Sequence, residues 1–128
     1  TPTTHLLPVN LAGMFDFEKL LVYQKAKLFQ QGIKPLVEQV MPKDRILANQ
    51  LRRAALSIPL NIAESTGRFT KPDKRNFFII ARGSVVECAA IFDIMHDENT
   101  LDDKTFQHLM GSAAELSKML YGLIKSLS

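Results

Sequence analysis

The residues best suited to chemistry lie between positions 49 and 68, NQLRRAALSIPLNIAESTGR. Gln50, Arg53, Ser57, Asn61, Glu64 and Arg68 follow one another at steps of 3, 4, 4, 3 and 4, so on a helix they form one continuous polar line. Leu47, Leu51, Ala54, Ile58 and Ile62 form an apolar line beside it. A polar line on the flank of an apolar seam sits where a helix meets a neighbouring helix or a second chain. Amides there can hydrogen-bond across the junction, and Arg and Glu can pair within the line or with a partner. The line is therefore a candidate subunit or interhelical interface. Pro59 lies inside it. Proline leaves the carbonyl four residues earlier, that of Ala55, without its donor, and bends the helix at a cost of about 3 kcal/mol if nothing compensates. Ser57 and Asn61 flank the bend and can take up loosened backbone groups. A kink needs no charge, so it accounts less well for Arg53, Glu64 and Arg68.

Other chemistry finds little support. Nucleophilic catalysis needs a nucleophile, a base and an orienting group. Cys88 falls on an apolar helical line, where a small buried thiol is the default. His96, Asp97, Glu98, Asp102, Asp103 and His108 fit no established metal-ligand spacing, and acids near position 102 suit a helix N-terminus. Gly67 and Gly83 are isolated, so no phosphate-cradling loop is present. No catalytic residue, metal or cofactor is expected.

Charge is more informative. The chain has a net charge of +3 and a pI near 9.1. Lys43 to Arg82 holds nine Lys/Arg against three acids, whereas Gly83 to Asp103 holds six acids and no Lys or Arg. Such zoning suits an anionic partner or head-to-tail self-association. Arg52, Lys71, Lys74, Arg75 and Arg82 lie near or beyond the turn between the second and third helices and are candidate phosphate ligands. Tyr23 and Phe69 are candidates to stack on bases, though Phe69 better suits a cap over the bundle end. No known nucleic-acid fold is recognisable, so binding would follow shape and charge rather than base sequence.

Four helices must position these groups, and no segment alternates as a strand would. The first runs from Phe17 to Val40 with Asp16 as its cap, and Gly32 and Pro35 predict a kink or short break in its second half. Met41-Pro42 ends it. The second runs from Asp44 to Thr66 and stops at Gly67, a good C′ residue. Thr70-Lys71-Pro72-Asp73 reads as a capping box opening a third helix, Pro72 to His96. Its seam is Phe77, Ala81, Ser84, Cys88, Ile91 and Met95. Thr100-Leu101-Asp102-Asp103 reads as another box before a fourth helix reaching Leu127, with the seam Phe106, Leu109, Ala113, Leu116, Leu120, Leu123 and Leu127. Regular 3–4 seams joined by short loops predict an all-α, antiparallel up-down-up-down four-helix bundle, left-handed.

Length and composition agree. A chain of 128 residues with 46% apolar content suits one domain with its own core. Residues 1–14 stand outside the pattern, as an N-terminal arm that docks on a neighbouring subunit or as a leader before Met14, and 15–128 form the bundle domain. His5 falls in that leader. No stretch is long and apolar enough for a membrane span, the N-terminus is a poor signal peptide, and one cysteine rules out an intramolecular disulfide framework, so a cytoplasmic protein is expected.

The run Gln50-Leu51-Arg52-Arg53-Ala54-Ala55-x-Ser57-Ile58-Pro59-x-Asn61-Ile62-Ala63-Glu64 resembles the signature of the four-helix-bundle proteins encoded in intervening sequences of bacterial 23S ribosomal RNA genes. The resemblance extends to Arg68, to Ile80-Ala81-Arg82-Gly83-Ser84 with Glu87, and to Phe17-Glu18-Lys19-Leu20 with Gln24 and Ala26, covering Phe15 to Leu127. The family usually has glycine where this chain has Ser65. The resemblance implies a barrel-like homo-oligomer, typically a pentamer, with no enzymatic reaction attached. It also implies kinship with the accessory variability determinant of diversity-generating retroelements, a basic pentamer that binds nucleic acid and a reverse transcriptase. The expected function is a non-enzymatic oligomeric scaffold that binds RNA, DNA or a ribonucleoprotein. The alternative is a protein–protein adaptor with no nucleic-acid activity.

Overall fold

The computed structural model describes residues 14–128, so all but Met14 of the arm or leader expected over 1–14 lies outside the described residues. A 3-10 turn at Asp16–Lys19 precedes four helices: α1 (Leu21–Val40), α2 (Arg45–Ser65), α3 (Lys71–Asp97) and α4 (Asp103–Ser126). Each packs on the next, and α1 also meets α4, which closes an up-and-down bundle with no strand among the described residues.

Helix starts follow side-chain chemistry. Asp44 accepts from the Leu47 amide at 3.0 Å, Thr70 from the Asp73 amide at 3.2 Å, and Asp102 from the Thr105 amide at 2.7 Å. The third cap corrects the sequence reading, which began the box at Thr100. The Thr105 amide, with its hydroxyl adding, holds the Asp102 carboxyl below its ordinary value. Thr100 instead finishes α3. Its amide donates to the Met95 carbonyl at 2.9 Å and that of Asn99 to His96 at 3.1 Å, with Asn99 in the left-handed region at φ 58°. This is a Schellman ending in which asparagine takes the usual glycine place.

The first helix starts later than expected. Leu20 is extended (φ −78°, ψ 122°), so Asp16 belongs to the 3-10 turn and caps nothing in α1. No break occurs at Gly32 or Pro35; α1 continues through both. Pro35 frees the Gln31 carbonyl, and Gln31 is exposed, so water can satisfy it. Gly67 occupies the C′ position after α2, but its φ is not left-handed; its amide donates to the Glu64 carbonyl at 3.1 Å. Ser65, in place of the family's glycine, is buried and donates to the Ile62 carbonyl at 2.6 Å, so the hydroxyl is satisfied within the last turn.

The core runs the length of the bundle. On α4 it is the expected leucine line, with Leu109, Ala113, Leu116 and Leu120 buried. On α3 the expected Ala81, Cys88, Ile91 and Met95 are buried, but the seam shifts by one residue at two positions and widens at a third. Phe78, Val85 and Phe92 are buried, while Phe77 and Ser84 sit half-buried on the flank. Phe92 is fully buried and meets the edge of Phe29, centroids 6.2 Å apart.

Candidate functional site

Helix α3 has two flanks; the expected polar line meets one of them, and part of the expected basic set, Lys71, Arg75 and Arg82, falls on the other. On the α2 side the polar line forms a closed seam. The Gln50 amide donates to the Glu87 carboxylate at 2.6 Å. The Ser57 and Ser84 hydroxyl oxygens lie 2.9 Å apart, and Asn61 donates to both the Ser57 carbonyl (2.8 Å) and its hydroxyl oxygen (2.9 Å). At the end of the line Arg68 pairs with Glu64 at 3.4 Å and covers the Phe77 ring, 4.5 Å from its centroid. Arg53 is exposed, with no ion pair among the described residues.

The seam revises the reading of Pro59. Asn61 reaches the Ser57 carbonyl, its own i−4 acceptor, and not the Ala55 carbonyl that proline frees. Pro59 is buried and α2 runs on through it. Ser57 ties α2 to α3 through Ser84, and Asn61 braces Ser57 within α2 across the proline turn.

On the α4 side the flank is basic and open. Lys71, Arg75 and Arg82 stand at steps of 4 and 7 and so share one line of α3. The Arg82 Nε donates to the Ser117 carbonyl of α4 at 3.3 Å, and its guanidinium covers the Tyr121 ring at 5.6 Å. From the next turn of α4 Lys125 covers the same ring at 5.5 Å. Lys118, Tyr121 and Lys125, at steps of 3 and 4, form the α4 line of this ridge. Because α3 and α4 run antiparallel, the first turns of α3 come level with the last of α4. Residues 71–82 and 116–128 together hold six Lys/Arg and one acid, Asp73. Glu115, the nearest acid of α4 in sequence, is taken by Lys25 of α1 at 3.1 Å.

The other expected residues scatter. Lys74 lines a cavity of about 220 Å³ with Asp16, Leu20, Ser65 and Leu123, at the basic end. Arg52 stands apart, against α1 beside Lys34 and Glu38 in a groove of about 450 Å³. Phe69 is 99% exposed, so it caps nothing. Tyr23 packs on Phe17 at 4.8 Å with Lys27 over its ring, away from the ridge on α1. Lys118, Tyr121 and Lys125 escaped the sequence reading because charge was counted along the chain. The signal was their 3–4 spacing beside the leucine seam.

Two further reactive groups are occupied. Cys88 is fully buried, and burial, with the Glu87 carboxylate adding, pushes its thiol up to about 12. His96 bonds Asp103 and stacks on Phe106, centroids 4.1 Å apart, pinning the α3–α4 turn. Among the described residues no helix is long and apolar enough to cross a membrane.

A comparison with curated proteins finds no match. The chain is similar in structure to a protein of unknown function from the S23 ribosomal protein family of Bacteroides thetaiotaomicron, whose crystal structure was solved at 1.70 Å. The two share 21% identity and a TM-score of 0.79, over 82% of this chain and 99% of that one, which establishes the shared fold. The family model described as 23S rRNA-intervening sequence protein matches residues 18–122. Carrying that match over most of its length, together with the polar run from Gln50 to Arg68, the chain belongs to the 23S rRNA-intervening sequence protein family.

Proposed function

We propose that this chain is a non-enzymatic helical scaffold that assembles with copies of itself and binds nucleic acid, alone or within a ribonucleoprotein, through the α3–α4 ridge. The observation that carries the reading is the ridge's excess of positive charge: Lys71, Arg75, Arg82, Lys118 and Lys125 against Asp73, with Lys74 set beside Asp16 at the same end of the bundle. Folding does not require such a cluster, and like charges held together are destabilising until an anion arrives. Phosphate backbones supply that anion, and charge neutralisation makes their binding salt-dependent. A thiol pushed up to about 12 is a poor nucleophile near neutrality, which argues against nucleophilic catalysis by Cys88.

Assembly is supported by apolar side chains on the outer faces of α2 and α3, among them Ile46, Leu60, Ile80, Val86 and Ile94, all exposed. They border the polar line, which supports a subunit contact through Arg53 and through Glu64 with its Arg68 partner. A closed ring, such as the pentamer implied by the family resemblance, would repeat the basic ridge around its axis. Arg53→Ala and Glu64→Ala are each expected to weaken assembly with helicity intact; an unchanged solution mass at low concentration contradicts that role.

The second reading is a protein adaptor in which basic and acidic zones meet across subunits. The favouring observation is the acidic half of α3 and its following turn, with Glu87, Asp93, Asp97, Glu98, Asp102 and Asp103. Against it, Glu87 already accepts from Gln50 of its own chain. Titrating the protein with a structured RNA and a duplex DNA from low to physiological salt, with its mass recorded in the same buffers, separates the two. Affinity that falls steeply with salt favours phosphate binding. No binding at low salt by a well-behaved oligomer favours the adaptor.

A further inference from the structure

Tyr121 is an unusual residue for its place. The leucine line of α4 carries the core, and Tyr121 lies one position off it, 52% exposed beside α3. Half-exposed, it gains only part of the burial that normally places an aromatic ring. Its surroundings are cationic: Arg82 at 5.6 Å and Lys125 at 5.5 Å from the ring centroid, with Lys118 one turn away. A flat π-face among cations, on a surface with little opposing charge, is the arrangement that single-stranded nucleic-acid sites use. Bases stack on the ring while the cations hold the flanking phosphates.

We infer that Tyr121 is a stacking platform for an unpaired nucleobase, with Arg82 and Lys125 holding the phosphates on either side of it. This rests on the proposed phosphate-binding ridge and adds what that ridge prefers, a single strand over a duplex. The two cations play different parts. Arg82 is anchored by its Nε on the Ser117 carbonyl, and its terminal guanidinium nitrogens have no carboxylate partner among the described residues, so they are free to meet a phosphate. Lys125 is a flexible point charge with no ion pair among the described residues. An arriving base takes its place over the ring, and the ammonium swings to the adjacent phosphate. A duplex cannot use the platform, because its bases are already stacked and paired; it meets only the charges.

The chain has no tryptophan, so Tyr121→Trp supplies a unique fluorescent reporter on a ring that still stacks. The test measures binding of a single-stranded RNA 12-mer, the DNA strand of the same sequence and the matching DNA duplex to the wild type, Tyr121→Phe and Tyr121→Ala, with the fluorescence of the Tyr121→Trp variant followed in parallel. Expected are a loss of about tenfold in single-strand affinity for Tyr121→Ala, little change for Tyr121→Phe, unchanged duplex affinity, and quenching of the introduced indole by single strands. Relative affinity for the RNA and DNA strands identifies which strand the platform takes. Equal losses on single strand and duplex, or no loss on either, would overturn the platform and leave the phosphate ridge standing. Binding to none of the three at low salt would overturn both.

Discussion

The two flanks of α3 use polar residues in opposite ways. Toward α2, Gln50 bonds Glu87, Ser57 bonds Ser84 and Asn61, and Glu64 pairs with Arg68, so all of the polar line but Arg53 has a partner within the chain. Toward α4, the cations outnumber their carboxylates, and an exposed ring stands between two of them. The contrast teaches how to separate structure from function on one helix. Polar groups that find each other within the chain explain themselves as packing. Charges gathered without partners need a ligand to explain them.

The largest expected effect breaks the open flank. Replacing Arg75, Arg82, Lys118 and Lys125 together with Gln is expected to weaken nucleic-acid binding by at least about a hundredfold at low salt, while circular dichroism stays unchanged. If each neutralised residue held one phosphate, the slope of log affinity against log salt falls by roughly 1 per residue. Loss of helicity instead would mean that the cations are structural.

Next comes the closed flank. Ser57→Ala is expected to lower stability by about 0.5–1.5 kcal/mol, since it removes the hydroxyl that Asn61 and Ser84 share while leaving each a backbone carbonyl, of Ser57 and Ile80. The Ser57→Ala/Ser84→Ala pair should then cost less than the two single changes added together. Additive effects in a denaturant double-mutant cycle would mean that the serines do not act as a unit. Neither change is expected to alter nucleic-acid affinity.

A smaller effect lies between the flanks, at Cys88. Its raised value means that the folded chain keeps the thiol neutral while the unfolded chain ionises it, so the unfolded state holds fewer protons as pH rises. The associated stability is present in full below the ordinary thiol value of 9.0 and is lost as pH climbs from there toward about 12. Reaction with a disulfide reagent at pH 8 is expected to be slow in the native protein and complete within minutes in denaturant. Fast native labelling would show that the core opens at Cys88.

Much of this was legible in the residues. The 3–4 seams specified a bundle, and Asp44 and Thr70 marked helix starts because a side-chain oxygen three residues before an amide is a local signal. What failed needed neighbours or backbone. Phe77 and Ser84 belong to a line as regular as Phe78, Val85 and Phe92, and only the placing of α2 and α4 decides which faces inward. Asp16 lost its cap because Leu20 is extended, and Thr100 ends a helix rather than starting one because Asn99 turns left-handed. The polar line was visible as a line. That Gln50 and Ser57 close on Glu87 and Ser84 of the next helix was not, since it depends on relative height. Arg52 fell away from the basic group because its face of α2 turns to α1. Lys118, Tyr121 and Lys125 joined it across an antiparallel turn that a count along the chain does not cross.

The most direct test of the central claim sets the two flanks against each other in one assay. Affinity for a structured RNA is measured at about 50 and 200 mM salt, the range over which phosphate contacts weaken most visibly. The proteins compared are the wild type, Arg82→Gln/Lys125→Gln and Ser57→Ala/Ser84→Ala. The ridge variant is expected to bind more weakly and with a shallower salt dependence, and the seam variant to match the wild type in both. Equal affinities and equal slopes for all three would contradict the claim.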